Sequence, residues 1–396
     1  MRIRKKIWNN DAEPILVIMV VLMVLGTINV FSSSFVLGTT DYEDPYHFLR
    51  SHGVFLVIGL VLFWIFRKIN YQRWRSLRGG LMMALVGTLF AALVLVLIVG
   101  TEVNGAKRWL FGIGQPAELA KLVAIMLAAS TLATRLKRGT ANSLGNVFNG
   151  PFFLIYLMFG LIELEPDMGT ALIVVGGPVF MAMVAGMSIK YVAGFGGFVL
   201  MILVLMINIQ PYRLARLKVW FDPWADAQGM GYQTVQSLST IGSGGFWGMG
   251  LGEGVSKYAY LPEAHTDFAF AIFSQEHGYM GAFMVFLLLA LLVLFCVRIA
   301  NRAPDEYGQM LVTGIMVLIA GQAIANIMMV GGLLPVVGVP LPFISYGGSS
   351  LIVTMMAMGM LLNVCDHGKK PSLENEQPAA AAKPASRKRP HLRIVK

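Results

Sequence analysis

Charged side chains are scarce in this chain: Asp, Glu, Lys and Arg make up only 13% of its 396 residues, while 56% are apolar. A soluble domain carries about 25% charged residues, which it needs to cover its surface. The composition therefore excludes a single water-covered globule and favours a chain whose outer surface contacts lipid. Cysteine is scarce too, since only Cys296 and Cys365 are present, which excludes a small secreted fold held together by disulfides.

Long apolar segments are abundant where charges are missing. Ten of them are long enough to cross, or nearly cross, the hydrocarbon core of a bilayer. They span residues 14–36, 52–67, 79–100, 117–134, 150–162, 168–187, 190–209, 267–298, 308–333 and 345–365. Because every backbone amide in lipid has to be paired within the chain, we expect all ten to be helices. The predicted fold class is an all-α polytopic membrane protein, with a ten-helix membrane domain over residues 14–366.

The distribution of basic residues predicts the orientation of these helices. With residues 1–13 in the cytoplasm and the helices alternating in direction, 23 of the 31 Lys and Arg residues fall on the cytoplasmic side. Cytoplasmic connections of membrane proteins carry such an excess, so both termini are predicted to be cytoplasmic. The Ala- and Pro-rich tail, residues 367–396, is predicted to be disordered. Its basic cluster is interpreted as a contact with anionic lipid rather than with nucleic acid.

The connection over residues 210–266 is unusually long. It joins the seventh and eighth helices on the predicted outer side and contains 57 residues, a length typical of functional or disordered loops. Five aromatic residues in its first half argue against disorder. Within it, residues 211–221 (PYRLARLKVWF) have the pattern of an amphipathic helix that lies at a membrane surface.

Two carboxylates occupy positions where charge is costly in a membrane protein. Glu118 lies three residues before Lys121 at the start of the fourth segment, so the two share one helix face. They are either a helix-start signal with a structural ion pair or part of a site. Asp267 opens the eighth segment. Either Thr266 or Asp267 is simply the N-cap of that helix, or Asp267 is a general base at the outer membrane boundary. Glu276 follows further along the same segment.

Six basic residues between residues 101 and 266 lie on the predicted outer side, against the usual tendency of membrane proteins. They are Lys107, Arg108, Arg213, Arg216, Lys218 and Lys257. Either phospholipid headgroups or a bound phosphorylated ligand would explain them. The chain has no phosphate-binding loop and no zinc-ligand spacing, and the glycines at 242–254 follow no strand of a βαβ unit. If the reaction uses an activated substrate, that substrate is therefore activated elsewhere before it reaches this protein.

Several sequence motifs resemble those of a known family. They are QPAELAK at 115–121, EPDMGT at 165–170, DPWAD at 222–226, GMGYQ at 229–233, YLPEAHTDF at 260–268, and the stretch from 326 to 351 that ends in GVPLPFISYGGSSL. In this order they resemble the SEDS family, which comprises FtsW and RodA. The PEAHTD string is more similar to the division member than to the elongation member. One departure is QEHG at 275–278, where the family often has Glu-Glu-Leu-Gly.

The resemblance implies a peptidoglycan glycosyltransferase that polymerises lipid II at the outer face of the bacterial cytoplasmic membrane. Its implied partners are a class B penicillin-binding protein transpeptidase and the proteins of a division or elongation complex. The family's presumed catalytic aspartate corresponds to Asp267, and its tryptophan before the QPAELAK motif to Trp109. Its membrane-embedded Glu/Lys pair corresponds to Glu118 and Lys121.

These observations combine into one mechanistic hypothesis. Asp267 is predicted to take a proton from an acceptor sugar hydroxyl, while cations stabilise the pyrophosphate leaving group. The predicted substrate and pyrophosphate contacts are Arg108, Trp109, Arg213, Arg216, Lys218, Lys257 and His265, with Mg or Mn as an optional divalent cation. Glu118, Lys121 and Glu276 are predicted to shape the cavity. The alternative is a lipid transporter or flippase, which should instead place its charges near the bilayer midplane.

Overall fold

The computed structural model describes residues 11–77, 80–103, 106–110, 112, 114–209, 211–258 and 261–368. Residues 1–10 and the tail from residue 369 onward, which is predicted to be disordered, lie outside the described residues. In the described part, the α-helices are α1 (Ala12–Tyr42), α2 (His47–Lys68), α3 (Gly80–Val99), α4 (Pro116–Lys137), α5 (Gly150–Leu164), α6 (Met168–Val184), α7 (Ile189–Ile209), α8 (Pro211–Phe221), α9 (Tyr232–Ser243), α10 (Ala269–Asn301), α11 (Glu306–Val330) and α12 (Gly348–His367). A hairpin of β1 (Thr101–Val103) and β2 (Ala106–Trp109) lies between α3 and α4.

The apolar segments predict the helices well. Each predicted segment coincides with a helix, and in the described part of the chain α1–α4 and α10–α12 are long and apolar enough to cross a membrane. Two further apolar helices, α5 and α6, are shorter, with 15 and 17 residues. A mostly helical, multi-pass membrane fold is therefore confirmed, while the number of ten crossings stays a prediction.

The centre of the bundle is α4, which packs against α3, α5, α6, α11 and α12. Its alanines are buried almost completely, so neighbouring helices approach it closely. On α12, Gly359 allows a similar approach to α2, because a Cβ atom there would come within 2.4 Å of the Phe63 carbonyl oxygen. Small residues at helix contacts of this kind are typical of membrane bundles, where close backbone packing drives association.

Helix α10 is interrupted at Gly278, whose backbone (φ 65°, ψ −168°) is not helical. The glycine-rich segment at 242–254 supplies the hydrogen bonds that the break removes: the Met249 amide donates to the Gln275 carbonyl at 3.0 Å, and the Tyr279 amide donates to the Gly245 carbonyl at 2.9 Å. Gly248 has a φ of 87°, and a Cβ atom on it would lie 2.2 Å from the Glu276 carbonyl oxygen. These glycines therefore allow close contact between the backbone of the 242–254 segment and that of α10. This packing explains the glycine spacing without a nucleotide-binding motif.

The long 210–266 connection is ordered over the residues that the structure describes. The predicted amphipathic helix is confirmed as α8, and α9 packs against α10 and α11. The Ser237 hydroxyl on α9 donates to the Val330 carbonyl at 2.7 Å, which ties this segment to the end of α11. The connection thus covers the end of the bundle at which α4, α6, α10 and α12 begin.

Candidate active site

A cavity of about 870 Å³ opens at this end of the bundle. Its volume lies toward the upper end of the roughly 300–1,000 Å³ typical of small-molecule sites. Strand β2, the first turns of α4, α6 and α12, helix α8, the turns at 262–268 and the connection at 335–340 all contribute to its wall. Residues far apart in sequence therefore converge on one hollow, and most of the family-like motifs contribute to it.

Asp267 lines this cavity. Helix α10 begins two residues later at Ala269, and its N-cap is Phe268, without a side-chain capping bond. The interpretation of Asp267 as an N-cap is therefore wrong, and the turns at 263–267 instead present its side chain to the cavity. Gly338, with a φ of 65°, forms the facing wall, because a Cβ atom on it would lie 3.3 Å from Asp267 Oδ2.

The electrostatic surroundings of Asp267 favour its neutral form. Burial raises the pKa of its carboxyl to about 7, the charges of Glu263, Asp167 and Glu118 act in the same direction, and Arg108 opposes them. A carboxylate with a pKa near neutrality is matched to general base chemistry, because it is partly ionised yet basic enough to accept a proton. This geometry and this pKa together allow Asp267 to exchange a proton with a cavity ligand.

Two cations face the same cavity. The Arg108 guanidinium donates from Nε to the Glu165 carbonyl at 3.3 Å and from Nη2 to the Pro166 carbonyl. These acceptors are backbone carbonyls, and within the described residues Arg108 forms no ion pair, so its positive charge is available to an anion. Arg216 on α8 is exposed and donates to the Val336 carbonyl at 3.2 Å. A phosphate group bound between them would gain charge-assisted hydrogen bonds.

Glu118 also lines the cavity, at the first turn of α4. It forms an ion pair with Lys121 at 2.7 Å, and both side chains are almost fully buried. The predicted i,i+3 pair is therefore confirmed. Lys121 lies behind Glu118 and contributes no surface to the cavity, but its ammonium donates to Gln322 Oε1 at 3.0 Å.

Lys257 and Glu276 do not belong to the cavity, and this corrects their predicted roles. They form a buried ion pair at 3.2 Å beside the break in α10. The Ser32 hydroxyl donates to Glu276 Oε1 at 2.5 Å, and the Lys257 ammonium donates to the Gly252 carbonyl at 2.6 Å. Because its charge is used within this pair, Lys257 is not available to a pyrophosphate in the cavity, and Glu276 does not shape the cavity wall.

The other residues predicted to contact the substrate differ in whether they line the cavity. Trp109 on β2 lines the cavity. His265 does not: its ring packs between those of Phe48 and Tyr346, with centroids 4.7 and 5.5 Å away, and burial lowers its pKa. Lys218 is exposed outside the cavity lining. The side chain of Arg213 lies outside the described residues.

Asp167 is a cavity residue to which sequence reasoning gave no role, although its EPDMGT motif carried part of the resemblance. Its carboxylate accepts from the Gln115 side-chain amide at 2.8 Å and from the Thr170 backbone amide at 3.2 Å. It thereby caps α6 and joins that helix to the start of α4. An Asp directly before the first residue of an apolar helical segment was a signal for this cap.

The described residues offer no complete set of ligands for the divalent cation that the sequence analysis considered. Among the described residues, no group of three His, Cys, Asp or Glu side chains is arranged to hold a metal ion. Three of the cavity carboxylates have other partners: Glu118 pairs with Lys121, Asp167 accepts from Gln115, and Glu263 accepts from Thr266.

The fold and the cavity define a polytopic helical membrane protein with a candidate catalytic pocket of mixed charge. The sequence model of the FtsW, RodA and SpoVE family, described as cell cycle proteins, matches residues 13–370. The chain belongs to this family.

Curated relatives resemble the chain over most of its length. Stage V sporulation protein E of Bacillus subtilis is 38% identical over 372 residues, covering 90% of this chain and 97% of the relative. A probable peptidoglycan glycosyltransferase FtsW of Coxiella burnetii is 37% identical over 363 residues, covering 90% and 96%.

Solved structures share the fold. A chain from a peptidoglycan synthase complex, described as coordinating polymerization and crosslinking, matches with a TM-score of 0.72 and 29% identity, covering 90% of this chain and 98% of that one. The rod shape determining protein RodA of Thermus thermophilus matches with a TM-score of 0.64 and 26% identity, covering 90% and 97%.

Proposed function

We propose that this protein is a peptidoglycan glycosyltransferase that polymerises lipid II into glycan strands. Relatives named as probable peptidoglycan glycosyltransferases support the reaction. The observation that carries the proposal is the placement of Asp267, on a cavity that also holds Arg108 and Arg216. A base and cations in one hollow are what transfer of a sugar from a lipid pyrophosphate requires.

The reaction runs as a single displacement. Asp267, in its ionised form, accepts the proton of an acceptor sugar hydroxyl as the oxygen attacks the anomeric carbon of the donor sugar. The bond between that carbon and the pyrophosphate oxygen breaks, and the electron pair leaves with the lipid pyrophosphate. Arg108 and Arg216 stabilise the charge that develops on this leaving group. The energy is already stored in the sugar–pyrophosphate bond, so no nucleotide is needed.

We further propose ten membrane crossings with both termini in the cytoplasm of a bacterium. The positive-inside tendency supports this orientation, which places the cavity and the 210–266 connection outside the cytoplasmic membrane. The proposed partner is a class B penicillin-binding protein transpeptidase, within a division or elongation complex. The fold match to a chain of a peptidoglycan synthase complex supports such a partner.

The test is polymerisation of lipid II by purified protein with its co-purified partner. Asp267→Asn removes the base but keeps the shape of the side chain, so we expect no glycan polymer. Asp222→Asn is the matched control, because Asp222 is an exposed aspartate of the same connection that lies outside the cavity lining. Normal polymer from a folded Asp267→Asn protein would refute the assignment.

The same proteins in lipid vesicles separate polymerisation from transport. A flippase would move fluorescent lipid II across the bilayer without making polymer, and that transport would survive loss of a catalytic base. The cavity carboxylates Glu118, Asp167 and Asp267 lie at or just before the starts of helices α4, α6 and α10. A transporter instead places its binding site near the midplane. Polymer without lipid crossing is the expected outcome. Repeating the polymerisation assay with EDTA tests whether a divalent cation participates.

A further inference from the structure

Asn326 on α11 makes two hydrogen bonds behind the cavity wall. Its side-chain nitrogen donates to the backbone carbonyl of Asp267 at 2.7 Å and to that of Val339 at 2.7 Å. Asn326 is completely buried and is absent from the cavity lining. It therefore holds two separate segments of the chain together without touching a bound ligand.

Asp267 depends on such a tertiary anchor because regular secondary structure does not fix it. It precedes the first residue of α10, and the Ala271 amide donates to the Phe268 carbonyl at 2.9 Å rather than to that of Asp267. The Asp267 carbonyl is thus left outside the helical hydrogen-bond ladder. A second anchor lies close by, where Asn29 on α1 donates to the Ala269 carbonyl at 3.1 Å.

The other bond of Asn326 fixes the opposite wall. Val339 follows Gly338, the residue that faces the Asp267 carboxylate. One turn earlier on α11, the Gln322 side-chain nitrogen donates to the Pro340 carbonyl at 3.0 Å. Residues four apart lie on one helix face, so this face of α11 holds the 338–340 segment through two side-chain amides.

We propose that Asn326 is a positioning residue that aims the Asp267 carboxylate into the cavity by clamping its backbone to the Val339 segment. The proposal rests on the proposed function, in which Asp267 is the base. A single rigid amide bonded to both segments sets the separation between the carboxylate and the wall against which a sugar would lie. A misplacement of about 1 Å at a reacting group lowers a rate by about 100-fold.

The experiment compares kcat and KM for lipid II in purified variants. Asn326→Ala removes both hydrogen bonds, and Asn326→Leu removes them while keeping a similar side-chain volume. We expect kcat to fall between about 10- and 100-fold, with KM changed by less than about threefold, because Asn326 does not contact the ligand. Rates are normalised to the fraction of monodisperse protein, so that a loss of folded protein does not count as a loss of catalysis.

Asn363→Ala is the matched control. Asn363 on α12 is equally buried; its side chain donates to the Arg67 carbonyl and accepts from the Tyr71 amide at 2.8 Å. These contacts lie at the opposite end of α12 from the cavity. We expect this variant to lose stability but to keep the kcat of the unmodified protein.

The outcomes separate this proposal from the proposed function. A folded Asn326 variant with unchanged kcat, or with a loss no larger than that of Asn363→Ala, overturns the positioning role. If Asn326→Ala does not fold, Asn326→Leu decides in the same way. Polymerisation by Asp267→Asn would instead remove the base assignment itself. If the Asp267→Asn protein is inactive while the Asn326 variants are fully active, only the positioning role of Asn326 is overturned.

Discussion

The raised pKa of Asp267 predicts how polymerisation depends on pH. Only the ionised carboxylate accepts a proton, and its pKa is about 7 instead of the ordinary 3.8. The rate should therefore increase as pH rises through this value and level off above it. With a pKa of about 7, about one-tenth of the groups are ionised at pH 6 and about nine-tenths at pH 8. The initial rate should be about tenfold higher at pH 8 than at pH 6.

The assay is the initial rate of polymerisation of fluorescent lipid II at saturating substrate, over a buffered series from about pH 5.5 to 8.5 at constant ionic strength. An aspartate with an ordinary pKa would be ionised throughout this range. A rate that is flat across the series would therefore refute the argument that burial and neighbouring carboxylates tune Asp267.

A substitution at Glu263 tests the cause of the shift. After burial, the charge of Glu263 is the largest contribution that raises the pKa of Asp267. Glu263→Gln removes that charge and keeps an acceptor for the Thr266 hydroxyl, which donates to Glu263 at 2.7 Å. The acidic limb of the profile should move to lower pH. Glu253→Gln, which changes an exposed glutamate of the same connection, should leave it in place.

Three further predictions concern other charged side chains, inside the cavity and outside it. Arg108→Ala should slow polymerisation by at least about 100-fold by removing a cation at the leaving group, whereas Lys218→Ala should keep the normal rate in the same assay. Glu165 is completely buried, and burial raises its pKa to about 8, so most of its carboxyl groups are neutral at pH 7. Glu165→Gln should therefore polymerise at the normal rate at pH 7. A large loss of rate there would show that the ionised form is needed. Lys257→Met leaves a buried carboxylate unpaired and should destabilise the protein by about 3–5 kcal/mol, while the double variant with Glu276→Leu should recover most of that loss in thermal unfolding.

The sequence predicts the helices because lipid imposes a simple rule. An apolar run must pair its own backbone amides, so each long run becomes a helix. This rule does not predict the hairpin β1–β2, although the hairpin places Arg108 and Trp109 at the cavity. The Asn-Gly dipeptide at 104–105 was a signal for it, since this pair favours the tight turn of a two-residue hairpin.

The site was predicted only where a residue type and its position in a motif determined its location. Asp267, Trp109 and Glu118 line the cavity, as do Arg108 and Arg216, and their roles in the reaction stay predictions. Lys257 was grouped with the other outer cations because sequence order gives the side of the membrane but not the buried partner. Glu276 lies 19 residues away in sequence, and the two meet close to the break of α10 at Gly278. A pairing between a loop residue and a helix residue has no periodic signal in the sequence.

Burial of Asp267 has opposite consequences for catalysis and for stability. Its folded pKa is raised above the unfolded value, so the free energy of unfolding contains a term that is lost as pH rises from about 4 to about 7. A shift of about three units corresponds to at most about 4 kcal/mol, less where cavity water reaches the carboxylate. The protein needs this ionised form for its proposed reaction, so it must hold a destabilised side chain in place. The anchors from α1 and α11 to the backbone at 267–269 stabilise the segment where this cost arises.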